Sequence, residues 1–191
     1  MWAKVEGASI TEIITRPKAM TIGDTQYPHN IFSVWEAADL RGIGIYEITV
    51  DYTNHKDSEY YQNTDITYTW DSDNETVTGT YGTATARPLA DVLYTAEDES
   101  NGLGTEGNIK QYGLKDRHKG LINKQAAGRL VQYDWYTLRA ASGGTAIPSS
   151  IATYQAAVRT KANEYAVAID ATANVDALAA LTFDGWPAEP N

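Results

Sequence analysis

The period of the hydrophobic pattern changes part-way along the chain, and that change limits the architectures open to it. Ile66, Tyr68 and Trp70 lie at every second position of one segment, and Val77 and Tyr81 share one face of the next. A spacing of two is that of a half-buried strand. Further on, Ile151, Tyr154, Val158, Ala162, Tyr165 and Ile169 step by three or four residues, which draws one stripe along an α-helix. Separate blocks of the two periods indicate an α+β chain. The expected architecture is a small N-terminal mainly-β domain with a short helix, followed by a C-terminal helical hairpin region.

Charge divides the chain in the same way. Residues 1–108 carry six Lys and Arg against eighteen Asp and Glu, whereas residues 109–191 carry nine against seven. The halves are therefore net −12 and net +2. The stretch from Ala96 to Gly107 holds three glycines and four acids with almost no apolar residue, the composition of a linker. The expected division is residues 1–95 as the β-rich domain, 96–108 as an acidic, Gly-rich linker and 109–191 as the helical domain.

Local signals fill in the elements. Asp71-Ser72-Asp73-Asn74 supplies turn formers between the two alternating stretches, so residues 65–82 should form a β-hairpin. Ile10 to Thr15 and Ile45 to Tyr52 are further strand candidates. Ser33-Val34-Trp35-Glu36 has the form of a capping box and Gly42 that of a stop, which predicts one short helix from Val34 to Arg41. A looser helical stripe runs from Leu114 to Leu138. Ser149 or Ser150, after Pro148, can cap the clearer helix that follows, and Ser142-Gly143-Gly144-Thr145 makes a turn between the two. A last short helix is expected after Asn174.

Several chemistries lack their residues. The chain has no Cys, so disulfides, thiolate catalysis and Cys-ligated zinc are excluded. His29, His55 and His118 are scattered without ligand spacing and are expected in ordinary surface roles. Asp71, Asp73 and Glu75 alternate like the opening of a calcium loop, but Thr76 and Gly82 stand where Gly and Glu are needed, so a solvated turn is the better reading. No phosphate-binding loop, nucleophile elbow or zinc-protease motif is present. The expectation is a protein that is no enzyme, with no catalytic, cofactor or metal residues and no small-molecule substrate.

The partners are constrained by charge. A formal net charge of −10 disfavours DNA and anionic membranes, and no apolar run approaches the roughly 18 residues of a membrane span. The N-terminus lacks the build of a signal peptide, from which the protein is expected to stay where it is made. Between Lys110 and Arg139 seven cationic side chains face only Asp116 and Asp134, which suits a solvated helix face or contact with an acidic partner. The aromatic content is weighted towards 13 Tyr and 5 Trp against 2 Phe, residues common at protein interfaces.

Three short motifs occur in order within the last 60 or so residues: Arg129-Leu130 leading into Asp134-Trp135, Tyr154 with Arg159 on the next helix, and Trp186-Pro187-Ala188-Glu189-Pro190. This order resembles the C-terminal helical region of phage tail fibre assembly proteins. The N-terminal half is similar in outline only, with a short helix ending in Gly42-Ile43-Gly44-Ile45-Tyr46 and a hairpin before Arg87-Pro88-Leu89. Around Gln125 to Gly128 the chain is rich in Ala and Gly where that family has leucines. The resemblance implies a tail fibre assembly chaperone or co-fibre with no cofactor, made in the host bacterial cytoplasm and located at the virion tail. Its partner is then a tail fibre or other tail protein. It also implies Arg129, Asp134, Trp135, Tyr154, Arg159, Trp186 and Pro187 as partner-binding residues. A permanent tail or baseplate adaptor is an alternative, and a carbohydrate-binding module stacking sugars on Trp2, Trp35 and Trp70 is another. Within the helical hairpin, Trp135 and Tyr154 are expected to pack together.

Overall fold

The computed structural model describes Met1–Pro190 and divides into two compact units, Met1–Thr85 and Ala86–Asn191. The fold class is α+β, as the change of period implies: strands dominate the first unit and helices the second.

The first unit is built on a five-stranded curled sheet. Strands β1 (Trp2–Glu6) and β2 (Ser9–Ile14) form a hairpin around Gly7, and β3 (Met20–Ile22) pairs with β4 (Thr25–Tyr27). Two short helices follow, α1 (Ile31–Val34) and α2 (Ala37–Gly42), then β5 (Ile45–Asp51), the two-residue β6 (Tyr61–Gln62), β7 (Ile66–Asp71) and β8 (Thr76–Tyr81). The sheet order is β2-β1-β5-β8-β7. The β7–β8 hairpin has the expected register, with Tyr68 opposite Gly79 and Trp70 opposite Val77. Its turn is held by Asp71, whose carboxylate accepts bonds from the Asp73 and Asn74 amides and from the Asn74 side chain. The pairing of β5 with β8 is parallel.

Alternation along the strands sends neighbours to opposite faces. On one face Ile14, Ile31, Phe32, Leu40 and Ile45 form a buried cluster under α1 and α2, joined by Trp2. On the other, Ala3, Val5, Ile48 and Val77 are buried with Tyr46, Tyr68 and Trp70 packed beside them. Gly44 has a positive φ of 78°, and a Cβ there would lie 2.8 Å from the Val5 carbonyl oxygen. That position joins α2 to the sheet and admits only glycine.

The single helix expected from Val34 to Arg41 is two helices. Trp35 leaves the helical region (ψ 145°) and its ring meets Tyr27 edge-on at 5.7 Å. Ser33 lies inside α1 and makes no capping bond, and Glu36 is the N-cap of α2. The Ser33–Glu36 spacing satisfies a pattern that the packing of Trp35 overrides.

Strand β9 (Thr85–Ala86) straddles the boundary, and the second unit continues through β10 (Val92–Leu93), α3 (Ala96–Ser100) and β11 (Ile109–Gln111). The segment 96–108, expected as a linker, is an ordered loop between the paired strands β10 and β11. Thr95 and Asp98 form a reciprocal capping box at the start of α3, Lys110 pairs with Asp98 at 2.7 Å, and the Tyr94 amide donates to the Asn108 carbonyl. The acids that look like linker composition occupy the first turn of a helix, where they satisfy free amides and the helix dipole. The division between units accordingly falls at residues 85 and 86.

Beyond this loop, α4 (Leu114–Leu130) leads through a 3-10 turn (Val131–Tyr133) into α5 (Asp134–Ala141), and α6 (Ser149–Ala171) returns antiparallel to α4. Lys115 and Lys119 near the start of α4 reach Asp170 near the end of α6. Buried Leu114, His118, Ile122 and Ala126 step by four along α4 and face Ile151, Tyr154, Val158, Ala162 and Ile169 of α6 across the core of the unit. His118 therefore departs from its expected surface role, while His29 and His55 are exposed. The last helix, α7 (Val175–Ala179), begins where expected, with the Asn174 side chain accepting from the Ala177 amide. Gly113 enters α4 so close to the preceding chain that a Cβ would lie 2.3 Å from the Ala90 carbonyl carbon.

Candidate functional site

The C-terminal segment after α7 has no regular secondary structure and runs along α4 by a series of side-chain contacts. Phe183 meets Tyr165 edge-on at 5.1 Å and lies 6.4 Å from the His118 ring. Trp186 meets Tyr165 at 5.3 Å, donates from Nε1 to Gln125 Oε1 at 3.0 Å, and carries the Arg129 guanidinium 4.8 Å above its ring. Glu189 accepts from Gln132. Positions 118, 125 and 129 share one side of α4 and Gln132 follows in the 3-10 turn, which is why an extended segment can run beside them.

Pro187 and Pro190 then close one side of a shallow groove of about 480 Å³, with Ser149, Ser150 and Tyr154 of α6 on the other. Tyr154 is 4% exposed, and burial, reinforced by Glu189, raises its phenol above the ordinary range. Of the expected site residues, Arg129 and Trp186 are thus in direct contact, and Tyr154 and Pro187 share a groove. Arg159 is exposed on α6.

Asp134 and Trp135 are on a different surface. Asp134 is exposed in the first turn of α5, where its charge suits the helix N-terminus. Trp135 does not pack on Tyr154. The residue against Tyr154 is Tyr133, edge-on at 5.3 Å. The 3-10 turn holds three residues per turn, not 3.6, and so shifts the phase of everything after it. Trp135 instead turns outward.

What it forms there is a preorganised apolar stripe. Trp135 and Leu138 are 49% and 69% exposed three residues apart on α5, and Val131 of the preceding 3-10 turn is 63% exposed. The Trp135 ring lies against Tyr136 at 3.8 Å, and the Arg139 guanidinium sits 4.9 Å from one ring centre and 5.1 Å from the other. Arg139 is itself fixed by donating to the Thr145 and Ala146 carbonyls. Two aromatic rings clamped by an arginine lose little freedom on meeting a partner. Val131, Tyr133, Tyr136, Leu138 and Arg139 were not among the expected site residues; the run Trp135-Tyr136-x-Leu138-Arg139 was the readable signal for the last three.

In the first unit Trp2 packs against Phe32 at 4.7 Å and Trp70 against Tyr46 at 4.5 Å. Among the described residues no group of three or more His, Asp or Glu side chains could hold a metal ion, and no helix is long and apolar enough to cross a membrane.

No protein-family model, curated protein or solved structure matches the chain.

Proposed function

We propose that this chain is a bacteriophage tail fibre assembly factor or co-fibre, which binds a fibre subunit through the outer face of α5. The observation that carries the binding reading is the stripe of Val131, Trp135 and Leu138 with its clamped Tyr136 and Arg139. Large apolar side chains exposed at helical spacing, with Trp, Tyr and Arg at the centre, have the composition of an interface hot spot. The fibre as partner rests on the resemblance of Asp134-Trp135, Tyr154 with Arg159, and Trp186-Pro187 to that family.

The helical segment that ends in α5 is net positive, which suits an acidic partner. From Leu114 to Ala141 there are six Lys and Arg against two Asp, and complementary charge favours encounter. Asp134 and Arg139 bracket Trp135 and Leu138, whereas Arg129 and Trp186 act behind them by fixing the C-terminal segment on α4. Tyr154 supports Tyr133 at the bend that presents α5.

The test is the protein composition of purified phage particles and of fibre precursors from cells producing them, by quantitative mass spectrometry. The chain is expected in fibre precursors if it is an assembly factor and also in particles, at fibre stoichiometry, if it is a co-fibre. Absence from both overturns the proposal.

A further inference from the structure

The first unit has a cleft that protein binding through α5 does not use. It encloses about 310 Å³ on the helix-covered face of the sheet, within the range of about 300–1,000 Å³ of small-molecule pockets. Trp2 and Trp35 contribute aromatic surface, and Arg41, Glu47 and Glu75 contribute charge. Each comes from a different place in the chain. Trp2 and Glu47 are paired across β1 and β5, Trp35 sits at the break between α1 and α2, Arg41 lies in the last turn of α2, and Glu75 stands at the turn before β8.

We propose that this cleft binds a neutral saccharide. Its lining decides the class by elimination. An anion would meet two carboxylates against one guanidinium, and a cation would find the pull of those carboxylates largely offset by Arg41. An apolar ligand would strip water from three charged groups and give none of them a partner, at a cost of several kcal/mol. A sugar ring suits all of them at once: its C–H face stacks on indole, and its hydroxyls donate to Glu47 and Glu75 and accept from Arg41. The aromatic rings are also braced for stacking, Trp2 by Phe32 and Trp35 by Tyr27.

The backbone at Glu75 points the same way. Its φ is +51°, and it is the one residue other than glycine with positive φ among the described residues. A hairpin turn at that position favours Gly or Asn. A glutamate held there against its conformational preference, at the edge of a cleft, is strain placed where a carboxylate serves a ligand.

The experiment uses the full chain and a panel of glucose, galactose, N-acetylglucosamine, maltose and lactose, with glucuronate as the anionic probe and choline as the cationic one. Binding is read by saturation-transfer NMR and by tryptophan fluorescence. At least one neutral sugar should bind saturably, and Trp35→Ala and Glu47→Gln should each weaken it tenfold or more. Glu47 is exposed, so its substitution keeps the fold when that of Trp35 does not. Glu75→Gly should raise Tm while weakening the sugar, a pairing that a merely structural glutamate would not produce. Trp135→Ala in the other unit should leave sugar binding unchanged even where it abolishes fibre binding. If no sugar of the panel binds, if glucuronate or choline binds at the cleft instead, or if Glu47→Gln binds sugar as the natural chain does, the proposal is overturned.

Discussion

Replacing Trp135 and Tyr154 by Ala, singly and together, separates a residue kept for contact from one kept for the core. Tyr154 is 4% exposed and its ring meets Tyr133 at 5.3 Å, so its truncation leaves a cavity and should cost about 3–5 kcal/mol. Trp135 is 49% exposed and touches mainly Tyr136 and Arg139 of its own helix. Half the burial and a partly exposed cation–π contact give about 1–1.5 kcal/mol. Because the two side chains do not touch, the double variant should be additive within about 0.5 kcal/mol. Tyr133→Ala with Tyr154→Ala should instead couple by about 0.5–1.5 kcal/mol, the worth of an edge-on aromatic pair. Urea unfolding followed by helical circular dichroism measures all of these, the m-value serving as a check that the unfolded state is unchanged. A loss above about 3 kcal/mol for Trp135→Ala, or a coupling between Trp135 and Tyr154 larger than that between Tyr133 and Tyr154, would refute the assignment of Trp135 to the surface.

Glu75→Gly should stabilise the first unit by about 1 kcal/mol, since glycine takes a φ of +51° without the penalty an L side chain meets; thermal unfolding that is unchanged or lowered contradicts the strain argument. Gly113→Ala should destabilise the second unit by about 2 kcal/mol or more, because a Cβ there meets backbone that cannot swing aside; a loss below about 0.5 kcal/mol in chemical unfolding would show that the chain yields at Ala90. The Asp98 carboxyl is held below the ordinary carboxylate range by the bond from Lys110 first and the Thr95 amide next. A depressed folded value means the support it gives α3 is present above the unfolded value, about 3.9, and is lost as pH falls through the folded one. NMR titration should therefore find Asp98 titrating below the ordinary aspartate range, and amides 95–98 losing exchange protection only at the acid end; an ordinary titration contradicts the pairing. Brief proteolysis should spare residues 95–111, and a first cut within them would show the loop to be open.

Much of the fold was readable where one local signal acted alone. The 65–82 hairpin followed from strict alternation around four turn formers, α6 from an unbroken stripe, and the start of α7 from Asn174. The errors arose where one composition serves two structures. Acids and glycines at 96–107 read as a linker, yet the same acids cap a helix, and Thr95-x-x-Asp98 was there as the sign of it. On α4 the stripe is Leu114, His118, Ile122 and Ala126, all buried. A histidine and an alanine supply half of it, so a pattern of large apolar residues shows only the other half. The parallel pairing of β5 with β8 joins segments about 30 residues apart, and no local pattern encodes it. At the candidate site, the contact of Arg129 with Trp186 unites two residues named from sequence. The outward turn of Trp135 depends on a 3-10 step that periodicity cannot register.

The claim that the outer face of α5 grips a tail fibre subunit is tested most directly by measuring that complex. The full chain is co-expressed with the fibre subunit of the same phage, and affinity is compared between the natural chain and the variant carrying Trp135→Ala and Leu138→Asp, with circular dichroism confirming that both are folded. The account predicts a stable complex with the natural chain and a loss of at least about 2 kcal/mol, roughly thirtyfold in affinity, in the variant. A folded variant that binds the fibre as tightly as the natural chain would contradict it, as would a natural chain that forms no complex at all.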